Sequence, residues 1–490
     1  MQPKSTDIPI EVKQVAETLE KAGFEAYVVG GCVRDLMLGR SPKDWDLTTN
    51  AKPEEIQALF PEHYANNDYG TIGIKTDSEY ETLKVIEITP YRTEGTYSDA
   101  RRPDSVTFGV SLEEDLKRRD FTVNALAYRV STNELVDLFG GAEDLASRRL
   151  KAVGDPDERF AEDALRMMRA VRLAAELDFM IDSATMTAIS RHSQQLSRIS
   201  IERTTSEFIR TVNSATPMQG IIFMEKLGLL EQFIPEFQPG IGCEQGGAHA
   251  YDVFEHLLHT MQAAADKQFT LTLRLAALFH DIGKPTTRRT GGKNKLYTFF
   301  GHEVVGARMT KTIFERLRLP RELTDDVVNL VRWHMFFADP DEITLSAVRR
   351  TITRVGEEHI VDLLNLRVCD RIGMGRPKEQ PFRFRKYKAM VDEALRDPIS
   401  VKMLKITGDR IMEISGEKPG RRLGYVLHAL LEEALDDASK NTAEYLEDRC
   451  LKLLKLPEED LIELAEAGKQ KQAEEEAAAL KDIAREHKVV

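Results

Sequence analysis

At 490 residues, with a formal net charge of −13 and 30% charged residues, the chain is too long for one core, and roughly three or four domains are expected on size alone. No apolar run is long enough to span a bilayer, and Met1-Gln-Pro-Lys-Ser5 lacks the apolar core of a signal peptide, so the expectation is a soluble cytoplasmic protein with no membrane partner and no obligate protein partner evident. The acidic balance excludes a uniformly basic nucleic-acid binder, because affinity for phosphate backbones comes largely from Lys and Arg releasing counterions. Basic clusters nevertheless occur at 117–119, 148–151, 166–172 and 383–388, with much of the acidity toward the end of the chain, so any nucleic acid is expected on a local basic surface. Cys32, Cys243, Cys369 and Cys450 are far apart, form no metal-ligand pair, and are expected as reduced structural thiols.

Ile10, Val12, Val15, Leu19 and Ala22 recur at helical spacing before Gly23, which predicts a helix over 9–23. Tyr27-Val28-Val29 reads as a short buried strand ending at Gly30-Gly31, where the backbone can turn sharply and approach a ligand. Apolar residues from Val33 to Leu38 then predict a helix capped by Gly39. In Asp44-Trp45-Asp46, an extended backbone projects the two carboxylates together while Trp45 packs on the other side. Paired carboxylates suit Mg2+, and two such ions clamp the attacking and leaving oxygens of a phosphoryl displacement. Gly30 and Gly31 offer amides to a triphosphate, and Arg34 offers a charged fork one turn later. A lone Asp-x-Asp is usually a solvated turn; the glycine turn and Arg34 beside it favour the metal reading. This order resembles the signature of DNA polymerase beta-like nucleotidyltransferases. The run Gly30-Gly-Cys-Val-Arg-Asp-Leu-Met-Leu-Gly39 resembles the branch containing bacterial CCA-adding enzymes and poly(A) polymerases.

Pro53 opens a helix over 53–60, and strands are predicted at 72–75 and 83–88. Leu83, Val85 and Glu87 share a face of the latter, so Glu87 is either a third carboxylate beside the Asp pair or a salt-bridged strand glutamate. Residues 91–103 have loop chemistry and resemble the flexible loop of CCA-adding and A-adding enzymes, which ends in Arg-Arg-Pro. A short helix is expected at 112–116. Arg118-Arg-Asp-Phe-Thr-Val-Asn-Ala125 matches a family motif, and the resemblance implies that Arg119, Asp120 and Asn124 contact the sugar and triphosphate of the incoming nucleotide. Asp137-Leu-Phe-Gly-Gly141 closes this head.

From Asp144 the pattern is largely helical. Along 162–172, Asp163, Arg166, Arg169 and Arg172 form a drifting stripe on one helix face, with Leu165, Met168 and Val171 as a separate apolar stripe. An arginine stripe is usually a solvated face, but this one matches the family's Glu-Asp-x-x-Arg-x-x-Arg-x-x-Arg motif. By that resemblance an aspartate and an arginine, Asp163 and Arg166, form a protein template for the base, with Arg169 and Arg172 in the same nucleotide-binding stripe. Glu202-Arg-Thr-Thr-Ser-Glu207 resembles the family's acidic-basic brace for this helix.

His256, His280-Asp281, His302, His334 and Asp370 form a second constellation in a helical region. His259 lies one turn from His256 and competes for its place. The pattern resembles an HD-type metal-dependent phosphohydrolase, and imidazole with carboxylate suits a divalent transition metal able to activate water against a phosphoester. Further on, 406–414 and 418–424 resemble the carboxy-terminal tRNA-binding region of HD-containing CCA-adding enzymes, and 465–490 reads as a solvated, partly frayed helix.

The chain thus resembles a class II tRNA nucleotidyltransferase: an α/β polymerase beta-like head with a mixed sheet (1–142), an all-α neck and body with the nucleotide-selecting helix (143–244), an HD domain (245–375), a tRNA-binding tail (376–464) and a charged end (465–490). The implied reaction is template-free addition of CMP, CMP and AMP from CTP and ATP to the tRNA 3′ end. Poly(A) synthesis, CC-only or A-only addition, and an HD phosphohydrolase with a nucleotide-binding head are the alternatives.

Overall fold

Tyr27-Val28-Val29 forms β1 with all three residues buried, inside a seven-stranded sheet. The computed structural model describes residues 3–65, 70–95, 106–246, 250–290, 296–336, 343–376, 378–397 and 399–465. It divides into two compact units, Met1–Pro235 and Glu236–Val490.

In the first unit, α1 (Ile10–Lys21) precedes β1 (Tyr27–Val29), and α2 (Gly31–Met37) follows it directly. Next come β2 (Asp46–Thr49), α3 (Pro53–Leu59), β3 (His63–Ala65), β4 (Ile72–Lys75) and β5 (Val85–Pro90). A separate ribbon pairs β6 (Arg92–Glu94) with β7 (Val106–Phe108), followed by α4 (Leu112–Lys117), β8 (Leu126–Arg129) and β9 (Glu134–Asp137). The sheet order is β3-β4-β5-β2-β1-β8-β9. Only β2 and β5 run parallel; the other neighbours are antiparallel, giving the mixed sheet expected of the head. The parallel register places Asp46 opposite Glu87, and Glu87 also pairs with Gly73 of β4.

Three local expectations are corrected. The strand predicted at 83–88 begins at Val85, because Leu83 closes a 3-10 turn; Val85 and Glu87 do share its half-buried face while Ile86 and Ile88 are buried. Asp44 lies in a bend before β2 and is exposed, whereas Trp45 is 3% exposed and packs inward. The helix after the glycine pair starts at Gly31 rather than Val33, since Gly30, at φ 82°, has already turned the chain.

The first unit continues with α5 (Gly141–Ala146), α6 (Pro156–Glu162), α7 (Leu165–Leu177), α8 (Ser183–His192), α9 (Ile201–Val212) and α10 (Pro217–Lys226). The single helix expected over 162–172 is two. Asp163 has extended backbone (φ −138°, ψ 104°) between α6 and α7, and its carboxylate accepts the Leu165 N–H at 3.0 Å. A short acidic side chain that bonds its own backbone in this way favours a helix boundary over a helix interior. Asp163 therefore stands at the mouth of α7 rather than on its arginine face. The helix itself packs against α9 and α10 and buries Leu165, Met168, Val171 and Ala174.

The second unit is helical: α11 (Val253–Asp266), α12 (Leu271–Phe279), α13 (Lys284–Thr287), α14 (His302–Arg316), α15 (Arg321–Trp333), α16 (Leu345–Val355), α17 (Ile360–Gly373) and α18 (Phe382–Ala394), then α19 (Gly408–Ser415), α20 (Arg421–Asp436) and α21 (Ala443–Leu453). Helix α11 packs on α12 and α17, and α14 on α15. The last three helices enclose a core of their own that includes Ile411, Val426, Leu430, Leu446 and Leu453. Among the described residues no helix is long and apolar enough to cross a membrane. Of the flexible loop expected at 91–103, residues 92–94 form β6 instead, paired with β7, and 96–103 lie outside the described residues, as does the end expected at 465–490 from 466 onward.

Candidate functional site

In the head, Gly30 takes a positive φ that strains any other residue, and a β-carbon there would press on Arg119 Nη1 at 3.1 Å with Asp46 Oδ2 at an ordinary 3.9 Å. Arg34 donates from Nη1 to Asn124 Oδ1 at 2.7 Å and from Nε to Asp35 at 2.8 Å. Asn124 donates in turn to Asp120 Oδ1 at 3.1 Å, and Arg169 donates from Nε and Nη2 to Asp120 Oδ2 at 2.9 and 2.6 Å. One hydrogen-bonded chain thus joins the glycine-turn helix to α7. Arg118 and Arg119 both bond the buried Asp115, which also accepts from Thr48 at 3.3 Å. Asp115 was not singled out in the sequence, although its i, i+3 and i+4 spacing to two arginines at the end of a short helix was a usable signal.

Burial, then Glu87, then Asp44 push the Asp46 carboxyl up to about 6 against the pull of Arg119. Asp44 and Asp46 line a cleft of about 420 Å³ with Gly31 and Arg34. Asp46, desolvated and pressed by the neighbouring Glu87 and Asp44 carboxylates, is a fitting seat for a divalent cation. Asp44, Asp46 and Glu87 are not gathered as tightly as the two ligand groups of the second unit, which are the groups found within 4.8 Å among the described residues.

Along α7 the predicted residues separate. Arg166 pairs with Glu162 and donates to the carbonyls of Arg159 and Arg118, each at 3.2 Å. Asp163 accepts from Arg203 Nη2 at 2.8 Å. Arg172 is buried and held by Glu207 at 2.5 Å and Glu176 at 2.8 Å. Arg203 and Glu207 of α9, within the stretch expected as an acidic-basic brace, hold Asp163 before α7 and Arg172 on it.

In the second unit, Nδ1 of His280, His302 and His334 meets the carbonyls of Ala277, Phe299 and Val331 at 2.8, 2.6 and 2.7 Å. A carbonyl only accepts, so each Nδ1 carries the proton and each Nε2 keeps its lone pair for a metal. Two ligand groups result, His256 with His280 and Asp370, and Asp281 with His302 and His334. Asp281 faces both: Oδ2 is 3.3 and 3.2 Å from His256 and His280 Nε2, and Oδ1 is 3.2 and 3.4 Å from His302 and His334 Nε2. Lys284 Nζ lies 2.5 Å from Asp281 and donates to Gln245 at 2.7 Å. Burial opposes charge on His256, yet Asp281 and Asp370 push it up to about 9. Burial likewise opposes the Asp370 charge, but His256 and Arg367 hold that carboxyl well below the usual range. The nitrogen and oxygen donors fit divalent transition metals. His259 stacks on Tyr251 with centroids 4.1 Å apart, while His256 points into the cluster.

Two glycines make this convergence possible. A β-carbon on Gly373 would fall 2.1 Å from Thr260 Oγ1 and 3.1 Å from the His256 carbonyl, and one on Gly283 would fall 2.4 Å from the His302 carbonyl. A cavity of about 460 Å³ opens on the cluster, with Lys284, Phe299, Phe300 and Arg367 in its wall. All four cysteines are buried and unpaired. Burial, reinforced by Asp46, pushes the Cys32 thiol up to about 12, so it stays protonated.

The family model described as the poly A polymerase head domain matches residues 26–151, the HD domain model matches 253–372, and the model of the probable RNA and SrmB-binding site of polymerase A matches 178–241. The CCA-adding enzyme of Lactobacillus helveticus is 32% identical over 466 residues, covering 91% of this chain and 98% of the relative. That of Levilactobacillus brevis is 47% identical over 46% of this chain, and the match spans 55% of that relative's length. The crystal structure of the Bacillus stearothermophilus CCA-adding enzyme in complex with CTP superposes with a TM-score of 0.68 at 26% identity, over 91% of this chain and 98% of that one. The Thermotoga maritima CCA-adding enzyme, solved with tRNA, shares the fold at a TM-score of 0.56 and 18% identity, over 90% and 94% of the two chains.

Proposed function

Because the chain belongs to the CCA-adding enzyme family, we propose that it is a tRNA nucleotidyltransferase that adds CMP, CMP and AMP from CTP and ATP to the tRNA 3′ end without a nucleic-acid template. The observation that carries this is Asp46, pushed up to about 6 by burial and by Glu87 and set beside the Gly30 turn and Arg119. The terminal 3′-hydroxyl attacks the α-phosphate and pyrophosphate leaves. Asp44, Asp46 and Glu87 would hold Mg2+, whose charge would neutralise the attacking and leaving oxygens. The Gly30 N–H is taken by the Leu126 carbonyl at 3.2 Å, so the Gly31 amide, Arg34 and Arg119 orient the triphosphate, Asn124 (itself held by Asp120) fixing Arg34 and Asp115 fixing Arg119. Asp163 accepts from the exocyclic amine shared by cytosine and adenine, and Arg166 donates to the neighbouring ring nitrogen; uracil and guanine present the opposite pattern and leave these groups unpaired. Arg169 and Arg172 hold α7 in place for this reading.

In this assignment residues 1–142 are the catalytic head, 143–244 select the nucleotide, 245–375 form the HD domain, and 376–464 hold tRNA, with 465–490 as a charged end. A cytoplasmic location fits tRNA processing. The HD cluster supports a second activity, metal-dependent hydrolysis of a 2′,3′-cyclic or 3′-phosphate at a damaged tRNA end, with a divalent transition metal on His256, His280, Asp281, His302, His334 and Asp370. The deciding experiment incubates the protein with tRNAs lacking CCA, CA or A, supplies CTP and ATP separately and together, and sequences the products. Completion of CCA on all three is expected. Addition that stops at CC, adds only A or runs into poly(A) would replace the specificity, and no incorporation at all would overturn the function.

A further inference from the structure

The cleft beside Asp44 and Asp46 carries cations that nucleotide binding, as described above, does not use. Arg40, Lys43 and Arg210 line it together with those two carboxylates. Arg40 Nη1 donates to the Glu176 carbonyl and Arg210 Nη2 to the Glu176 carboxylate, each at 3.3 Å, and the Arg210 side chain is 53% exposed. Glu176 is the penultimate residue of α7, whereas Asp163 and Arg166 stand at that helix's start. Thirteen residues at 1.5 Å rise separate the two ends by about 20 Å.

A nucleotide whose base lies at the start of α7 and whose α-phosphate lies at Asp46 has its triphosphate met by the glycine turn, Arg34 and Arg119. The far end of α7, where Arg40, Lys43 and Arg210 share the cleft with Glu176 and Asp35, is left for the second substrate. In-line displacement places that substrate's attacking oxygen and the departing pyrophosphate on opposite sides of phosphorus. We propose that Arg40, Lys43 and Arg210 bind the last phosphodiesters of the RNA strand whose 3′-hydroxyl attacks, and so deliver that hydroxyl to Asp44 and Asp46. This subsite rests on the nucleotidyltransferase reading. It answers a need of the whole chain, because a protein of net charge −13 draws in a polyanion only through a local cationic surface.

The test measures CTP incorporation by the full-length protein on tRNA lacking CCA, titrating tRNA and CTP separately, for the parent, Lys43→Ala, the triple variant Arg40→Ala/Lys43→Ala/Arg210→Ala, and the charge-keeping pair Arg40→Lys/Arg210→Lys. The triple variant is expected to raise KM for tRNA roughly tenfold or more while KM for CTP stays at the parental value. The salt dependence of tRNA binding should flatten by about two log units per decade, at roughly 0.7 per single-strand phosphate contact. The lysine pair should recover most of the loss, and Lys43→Ala, on an exposed residue outside α7, should show part of it without any change in folding. A rise in KM for CTP with KM for tRNA unchanged would overturn the proposal in favour of a triphosphate subsite. Unchanged values for both substrates would overturn it outright. A parent protein that incorporates nothing would remove the function beneath it, which is a distinguishable failure.

Discussion

Replacing Asp120 with asparagine tests the bond between the base-selecting helix and the phosphate turn. Asp120 takes two N–H groups from Arg169 on one oxygen and one from Asn124 on the other. Asparagine keeps the shape but has a single oxygen, so its amide nitrogen must face a donor. Removing one partner of a buried ion pair costs about 3–5 kcal/mol. Here 36% of the Arg169 side chain is exposed against 10% of Asp120, so water recovers part of the guanidinium charge and about 2 kcal/mol is expected. Urea unfolding at pH 7 of Asp120→Asn, Arg169→Met and the double variant reads the coupling directly, expected at about 1.5 kcal/mol. Burial alone would raise the Asp120 carboxyl, but Arg169 and Asn124 outweigh it and hold the group well below the usual range. A depressed folded value means that its contribution is complete above the unfolded value of about 4 and is lost as pH falls from there toward the folded value. The gap between parent and variant should therefore hold from pH 7 to about pH 5 and shrink below about pH 4. An Asp120→Asn variant within about 0.5 kcal/mol of the parent would refute the reasoning.

Asp46→Asn should abolish nucleotide addition while the unfolding midpoint stays level or rises, because a carboxyl pushed up to about 6 is one whose ionised form the fold disfavours; parental incorporation would sink its catalytic role. Arg203→Ala releases Asp163 and should change the CTP-over-UTP ratio of kcat/KM about tenfold or more, so an unchanged ratio would mean that the base is read elsewhere. Asp281→Ala removes the carboxylate that faces both ligand groups and should lower bound metal by elemental analysis and eliminate hydrolysis of a 2′,3′-cyclic nucleotide. CCA addition should survive that change, and parental hydrolysis would discard the cluster as the hydrolytic centre.

Much of the head was legible because its signals are local. Tyr27-Val28-Val29 followed by two glycines specifies a buried strand and a sharp turn within five residues, and β1 with its positive-φ Gly30 is what forms. The HD residues were legible as a set because few other purposes gather so many imidazoles. What escaped depends on contacts distant in sequence. The break at Asp163 was masked by Leu165, Met168 and Val171, whose helical spacing belongs to α7 alone, and its partner Arg203 lies 40 residues away. The strands β8 and β9 have four residues each, too short for alternation to stand out, and they are fixed by pairing, β8 with β1 and β9 with β8. Arg172 reads like its neighbours in the stripe, and its ion pairs with two carboxylates, Glu207 and Glu176, set it apart.

Gly373 closes α17 where that helix touches α11, and by propensity alone an alanine there would be an improvement, worth up to about 1 kcal/mol in a helix. The contact reverses the sign. An added methyl would fall 2.1 Å from Thr260 Oγ1, so α17 must retreat from α11, carrying Asp370 away from a His256 nitrogen now 3.2 Å distant. The hydrogen that stands here where other residues carry a β-carbon thus acts as a spacer that sets the gauge of the ligand cluster, and a substitution that favours the helix would loosen the grip on metal without altering any ligand.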